Sequence, residues 1–266
     1  MTASPQMLDL LGCRVALHAT GAGARTALLV HGLGDDHTAF PPALVQDLAR
    51  DHRVFLPDLP GFGRSRARSG FAFTVDVQAE VLAALLAAVQ APDPVLLVGH
   101  SMGGAIATRL AERQAARDRT LISIEGNLLP SAASVSARAV RAAVRGRFAD
   151  WWRLLPGAIR RRGGDSPAAG RYVTALARTT PEAFLAACRD LEEQSLGGAL
   201  ADAFRGLATA RLYCLGDDPP PEVRAFLLRH EIAVAHFPGA PHWLIEHDPA
   251  AFVARLRAFL AAKPGK

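Results

Sequence analysis

Val95-Leu96-Leu97-Val98-Gly99-His100-Ser101-Met102-Gly103-Gly104 is the stretch whose reading decides the fold. Four apolar residues in a row read as a strand buried on both faces, and Met102–Arg117 reads as a helix that starts with no loop before it. A strand that becomes a helix within Gly-x-Ser-x-Gly must turn a tight, strained corner, and the flanking glycines let the backbone bend and its neighbours approach. Ser101 at the tip of that corner presents its hydroxyl to the positive end of a helix, where a developing oxyanion is favoured. Gly-x-Ser-x-Gly also occurs by chance in ordinary glycine-rich turns. The strand before it and the helix after it mark this one as a nucleophile.

Working outward, short β-like runs alternate with helical ones, the pattern of a mostly parallel sheet flanked by helices, an α/β fold. Strands are expected at Arg14–Ala19, Ala27–His31, Val54–Pro57, Val95–Gly99, Leu121–Glu125, Arg211–Leu215 and Ala233–Phe237. Helices are expected at Pro41–Arg50, Thr74–Val89, Met102–Arg117, Pro221–His230 and Pro249–Ala262. In the last, Phe252, Leu256, Phe259 and Leu260 recur on one helical face. From Asn127 to Arg205 there are only helical runs broken by proline and glycine. A structureless loop of that length is unusual in a compact domain, so residues 127–205 are expected to form an inserted helical cap, with 1–126 and 206–266 as the core.

Half of the 266 residues are apolar, which excludes a disordered or fibrous chain. No apolar run reaches the roughly 18 residues of a membrane span, and Met1–Leu11 has no basic cluster ahead of an apolar stretch, so the expectation is a cytoplasmic protein without a secretory signal. Cys13, Cys188 and Cys214 are odd in number and far apart, as expected of reduced, packed thiols. The net charge of +5 does not point to nucleic acid. Ten arginines between Arg138 and Arg178, against Asp150 and Asp165, hold a local +8, and the remainder carries 20 basic and 23 acidic residues. Of the 30 basic residues 28 are arginine, a skew that coding bias also produces.

Four further pieces sit in order: His31-Gly32-Leu33-Gly34, Asp58-Leu59-Pro60-Gly61-Phe62-Gly63-Arg64-Ser65, the Gly99–Gly104 corner, and Gly239-Ala240-Pro241-His242-Trp243. With them the chain resembles, over essentially its full length, the α/β-hydrolase superfamily, and among its members the capped, serine-nucleophile bacterial esterases and thioesterases. The resemblance implies that the N–H groups of Leu33 and Met102 form an oxyanion hole, worth about 10²–10³ in rate per donor. It also implies that His242, after the last strand, is the base for Ser101, since the histidine follows nucleophile and acid in chain order. His31 and His100 read as loop-shaping hydrogen bonders.

The acid has two candidates. The usual loop after the penultimate strand here reads Leu215-Gly216-Asp217-Asp218-Pro219-Pro220-Pro221, which puts Asp218 one position out of register and leaves a short span to His242. Glu125 ends the apolar run Leu121–Ile124, a position where some relatives carry the acid instead, and a carboxylate there needs a partner such as His242. Glu125 is placed first and Asp218 is the alternative.

The resemblance implies nucleophilic catalysis through an acyl-enzyme on an ester, thioester or related carbonyl, with no cofactor and no metal. An aspartate-nucleophile chemistry is set aside because the position is Ser101. Phe148, Trp151, Trp152, Phe184 and Phe204 read as core residues of the cap or as pocket walls, which suggests an apolar acyl or alicyclic substrate. Arg138, Arg141 and Arg145 fall on one helical face, followed by Arg147, Arg153 and Arg160–Arg162. They read either as a solvated face or as a dock for coenzyme A phosphates or an acidic carrier protein. Two other outcomes use the same residues: a cyclase that passes the acyl group to an internal nucleophile, and a ligand-binding member without turnover, suggested by the irregular acid loop. No feature assigns an oligomeric state.

Overall fold

The apolar runs at 27–30, 95–98 and 121–124 become the centre of an eight-stranded sheet. The computed structural model describes residues 4–131, 134–164, 166–217 and 219–262. The strands are β1 (Gln6–Leu10), β2 (Cys13–Thr20), β3 (Arg25–Val30), β4 (His52–Pro57), β5 (Val95–His100), β6 (Arg119–Ile124), β7 (Ala210–Leu215) and β8 (Ala233–His236), in the order β1-β2-β4-β3-β5-β6-β7-β8. From β4 to β8 every pairing is parallel, while β2 runs antiparallel to both β1 and β4. All seven expected strands are present. Strand β1 was not foreseen; it pairs with β2 from Gln6↔Leu17 to Leu10↔Cys13, and its mixed Gln-Met-Leu-Asp-Leu sequence carries too weak an alternation to be read alone.

The helices are α1 (Pro42–Leu48), α2 (Val75–Ala88), α3 (Met102–Arg113), α4 (Val135–Val144), α5 (Phe148–Gly163), α6 (Pro167–Leu176), α7 (Pro181–Leu196), α8 (Ala199–Gly206), α9 (Pro221–Arg229), α10 (Leu244–His247) and α11 (Pro249–Ala262). Their starts carry the expected signals: Thr74 and Thr180 accept hydrogen bonds from Val77 and Ala183 as N-caps, and α1, α6, α7 and α9 begin with proline. Helix α3 ends four residues before the expected Arg117. No described helix is long and apolar enough to cross a membrane.

Strand alternation divides the core in two. Leu28, Val30, Val95 and Leu97 face α2, α3 and the helices that follow β6; Leu29, Val54, Leu96 and Val98 face α1 and α11. Helices α4–α8 lie between β6 and β7 in sequence, as the proline-broken run implied, and they share the first of these clusters, through Leu155, Tyr172, Leu176, Phe184 and Leu191. Phe184 and Phe204 are fully buried; Phe204 meets Tyr213 of β7 edge-on, so it belongs to the core. Phe148, Trp151 and Trp152 gather around Phe184 with ring centroids 4.8–6.2 Å apart.

Candidate active site

Ser101 occupies the corner between β5 and α3 with φ 52° and ψ −120°, a conformation a non-glycine residue seldom adopts. Neighbours over-determine it. Ser101 N–H donates to Ile124 O of β6 at 2.9 Å, and Gly104 N–H donates to Ser101 O at 2.8 Å. A Cβ at Gly103 would overlap the Val30 carbonyl, so only glycine lets α3 start this close to β3. A second non-glycine residue with positive φ, Glu125 at 45°, ends the adjacent strand β6. Two strained residues at the same end of neighbouring strands are the kind of feature that clusters at functional sites.

Glu125 and His242 meet. Nδ1–H of His242 donates to Glu125 Oε2 at 2.6 Å, and Gly216 N–H donates to Glu125 Oε1 at 3.0 Å. Both carboxylate oxygens are thereby held, and Nε2 of His242 is left as an acceptor. His100 Nε2–H fixes the His242 backbone by donating to its carbonyl at 3.0 Å, and the two rings lie 4.8 Å apart. Burial drives the His100 pKa well down, which keeps that ring neutral beside His242. The Ser101 hydroxyl points to Asn127 Oδ1 at a long 3.5 Å. Asp218 lies outside the described residues. Its neighbour Asp217 is engaged in the loop itself, accepting from Gly239 N–H at 2.5 Å and pairing with His236 at 3.2 Å.

The loop after β3 runs past the same corner. A Cβ on Gly32 would lie 3.3 Å from Ser101 Cβ, so this loop borders the serine directly. Its shape is set by His31, whose Nδ1–H donates to Gly32 O at 2.8 Å while Nε2 accepts from Leu59 N–H at 3.0 Å. Leu33 and Met102 both have buried side chains.

Helix α6 grips this loop through residues that the sequence did not single out. Tyr172 donates to Leu33 O at 2.9 Å and stacks obliquely against Trp243, centroids 5.4 Å apart. Arg171 bonds Asp35 at 2.5 and 3.2 Å and Glu246 at 2.8 Å. Arg178, just beyond α6, reaches the fully buried Asp36 at 2.5 Å. Burial works against the charge on Arg171, but Asp35 and Glu246 raise its pKa above the ordinary guanidinium value. Consecutive side chains of α6 therefore each tie the β3 loop to the His242 segment. The one available hint was the Asp35-Asp36 pair beside a buried motif, which requires counter-charges from somewhere.

Among the described residues one cluster has metal-ligand composition, His18, His37 and Asp58. Asp58 accepts from His37 Nδ1–H, His37 N–H and Arg64 N–H, and the two imidazoles stack 3.4 Å apart, so Asp58 and His37 are already engaged with each other, while His18 Nε2 is buried without a hydrogen-bond partner. The three cysteines are buried and reduced. A serine at a strained corner, a histidine held by a fixed carboxylate and a loop edge beside the serine are the kinds of part that nucleophilic attack on a carbonyl uses; among the described hydrogen bonds the serine hydroxyl meets Asn127 and not His242.

Comparison with known proteins assigns the chain to a family. A model of the alpha/beta hydrolase family matches residues 27–255. A 2-hydroxy-6-oxo-2,4-heptadienoate hydrolase of Pseudomonas putida is 37% identical over 113 residues, 42% of this chain and 40% of that protein. A pimeloyl-[acyl-carrier protein] methyl ester esterase of Aeromonas salmonicida is 36% identical over 97 residues, 36% of each. The chain thus matches about two-fifths of the length of these curated relatives. A thermophilic esterase from Thermogutta terrifontis superposes with a TM-score of 0.78 at 24% identity, covering 97% of this chain and 98% of the other, a likeness of fold.

Proposed function

Since the chain belongs to the alpha/beta hydrolase family, we propose that it is a serine hydrolase that cleaves an ester or thioester of an apolar acyl group by two-step acyl transfer. Ser101 Oγ attacks the carbonyl carbon while His242 Nε2 takes its proton. The oxyanion is received by the N–H groups of Leu33 and Met102. The C–O or C–S bond then breaks, and His242 passes its proton to the leaving group. Water repeats the sequence in reverse roles, and the acid is released with Ser101 restored. Glu125 holds His242 in the tautomer with Nδ1–H and stabilises the imidazolium that forms.

The observation that carries this reading is the 2.6 Å contact between His242 and a carboxylate whose other oxygen is also held. Apolar acyl specificity is supported by the aromatic group Phe148, Trp151 and Trp152 in the helices after β6, which we take as a cap over the site. The name of one relative, a methyl ester esterase, supports an ester-type substrate. The irregular 216–221 loop argues for a binding-only protein if it must hold the acid; with Glu125 as acid it carries no such weight.

The test is labelling of the purified protein with a fluorophosphonate, alongside a screen of short and medium acyl esters and thioesters. Ser101→Ala is expected to abolish the covalent adduct and lower kcat by about 10⁴-fold or more. Full labelling of the Ser101→Ala variant would move the nucleophile elsewhere.

A further inference from the structure

The segment Arg64-Ser65-Arg66-Ala67-Arg68 follows the Asp58–Gly63 turn and has no part in the proposed chemistry. Arg64 closes the turn, and from Ser65 onward the chain is extended: Arg66 forms a two-way backbone bridge with Arg14 of β2, at 2.9 and 2.8 Å. In an extended chain alternate side chains share a side, and here Ser65 is buried while Arg64, Arg66 and Arg68 are all exposed. Directly bridged residues also share a side, which brings Arg14 next to Arg66. Among the described residues none of these four arginines forms an ion pair with a carboxylate. Others elsewhere are paired, such as Arg113 with Asp76 and Glu80, Arg119 with Asp93, and Arg257 with Asp47 and Asp51.

The same three side chains, Arg64, Arg66 and Arg68, line a cavity of about 670 Å³ whose far wall is Ala177, Arg178 and Thr180, between α6 and α7. Among the described residues no aspartate or glutamate lines it. The nearby carboxylate, Asp58, is ionised: burial pushes its pKa up, but hydrogen bonds from His37 and Arg64 N–H hold it at about 2. Its negative charge is engaged by those donors and forms no ion pair with the guanidinium of Arg64, Arg66 or Arg68 among the described residues. Arg178 also faces the cavity but is committed to Asp36. What remains is an open-sided space bordered by three guanidinium groups that have no carboxylate partner among the described residues.

We propose that this cavity is a binding site for a phosphate-bearing small molecule, held by Arg64, Arg66 and Arg68. A single carboxylate brings one charge and engages one guanidinium fork, whereas phosphate and diphosphate groups bring two or more charges and several acceptor oxygens, which suits three forks around one space. The phosphate arrives either free or as the handle of an acylated substrate, and the two sources are separable.

The probe is inorganic pyrophosphate, titrated calorimetrically into the full chain. Saturable binding is expected, weakened at least about tenfold in the triple variant Arg64→Ala, Arg66→Ala, Arg68→Ala and left unchanged by Arg145→Ala with Arg147→Ala, exposed arginines on the α4–α5 side. Raising ionic strength from about 0.1 M to about 1 M shortens screening from about 10 to about 3 Å and should weaken binding to the wild type far more than to the triple variant. Because the three side chains are exposed, the variant should unfold at the wild-type denaturant concentration, which is measured alongside. Neither measurement needs Ser101 to be active, so failure of the catalytic reading leaves this test intact. Hydrolysis of an acyl-coenzyme A thioester and of a neutral ester of the same acid separates the sources. A rise in KM for the thioester alone in the triple variant assigns the phosphate to the substrate, and unchanged KM for both assigns it to a free ligand. Absence of pyrophosphate binding, or binding that survives the triple substitution, overturns the proposal.

Discussion

Glu125 is the residue on which the proposed chemistry turns, and its contacts were only half legible in the sequence. The apolar run Leu121–Ile124 announced a buried strand, and a carboxylate at its end needed a partner, but nothing local says that the backbone there enters positive φ. That turn swings the side chain to His242 and Gly216, 117 and 91 residues away in sequence. Exchange of Glu125 for glutamine keeps the shape but removes the charge and turns an N–H₂ toward one of two donors. On the serine-protease precedent kcat should fall by as much as about 10⁴, while Asp217→Asn and Asp218→Asn should each stay within about tenfold. Steady-state kinetics on one ester, with the three variants side by side, decides this; a larger loss in Asp218→Asn would transfer the acid to the loop. Asn127, which faces the serine hydroxyl, carried no signal in sequence because a single amide two residues past a strand belongs to no pattern.

At the scale of elements, the alternating apolar runs and the proline starts located the strands and most helices, because each such signal is local. The contacts between elements were not readable. Helix α6 shows why: its Arg171 and Tyr172 look like ordinary members of an arginine-rich stretch, yet they bind Asp35, Glu246 and the Leu33 carbonyl across 75 to 139 positions. Asp35 is 1% exposed. Removing its partner leaves a buried charge, at a cost of about 3–5 kcal/mol. Arg171→Met is therefore expected to lower unfolding free energy by about that much in urea titration, and Asp35→Asn added to it should restore a good part. If the double variant were no more stable than Arg171→Met, the ion pair would not be the cause of the loss. For the proposed ester hydrolysis, kcat in Arg171→Met should fall more than KM rises, since the β3 loop loses one of its ties.

For the molecule as a whole, one buried cluster runs from β2 and β3 through α2 and α3 into α5, α6 and α7. Composition made a large core certain but said nothing of whether the inserted helices have one of their own. Continuous burial and the paired Asp35 and Asp36 predict that they open together with the sheet. Three thiols report on it from separate places: Cys13 in β2, Cys188 in α7 and Cys214 in β7, each no more than 1% exposed. Burial raises the pKa of Cys188 and Cys214, so they are poor nucleophiles while folded. A thiol reagent should label none in the native protein, and in mild denaturant all three at a single rate. Faster labelling at Cys188 would show the helices lifting off alone.

Ser101 and Glu125 belong to a single stretch, β5-α3-β6, and their strands are neighbours. During synthesis, domains assemble from the N-terminal side, so a ribosome would release the serine and its carboxylate together, long before the histidine that joins them. The partner of Glu125 arrives only after β7 and β8 have extended the sheet. On the proposed mechanism the corner that holds Ser101 is therefore made before its base, and it becomes competent only once the segment beyond β8 has joined the sheet.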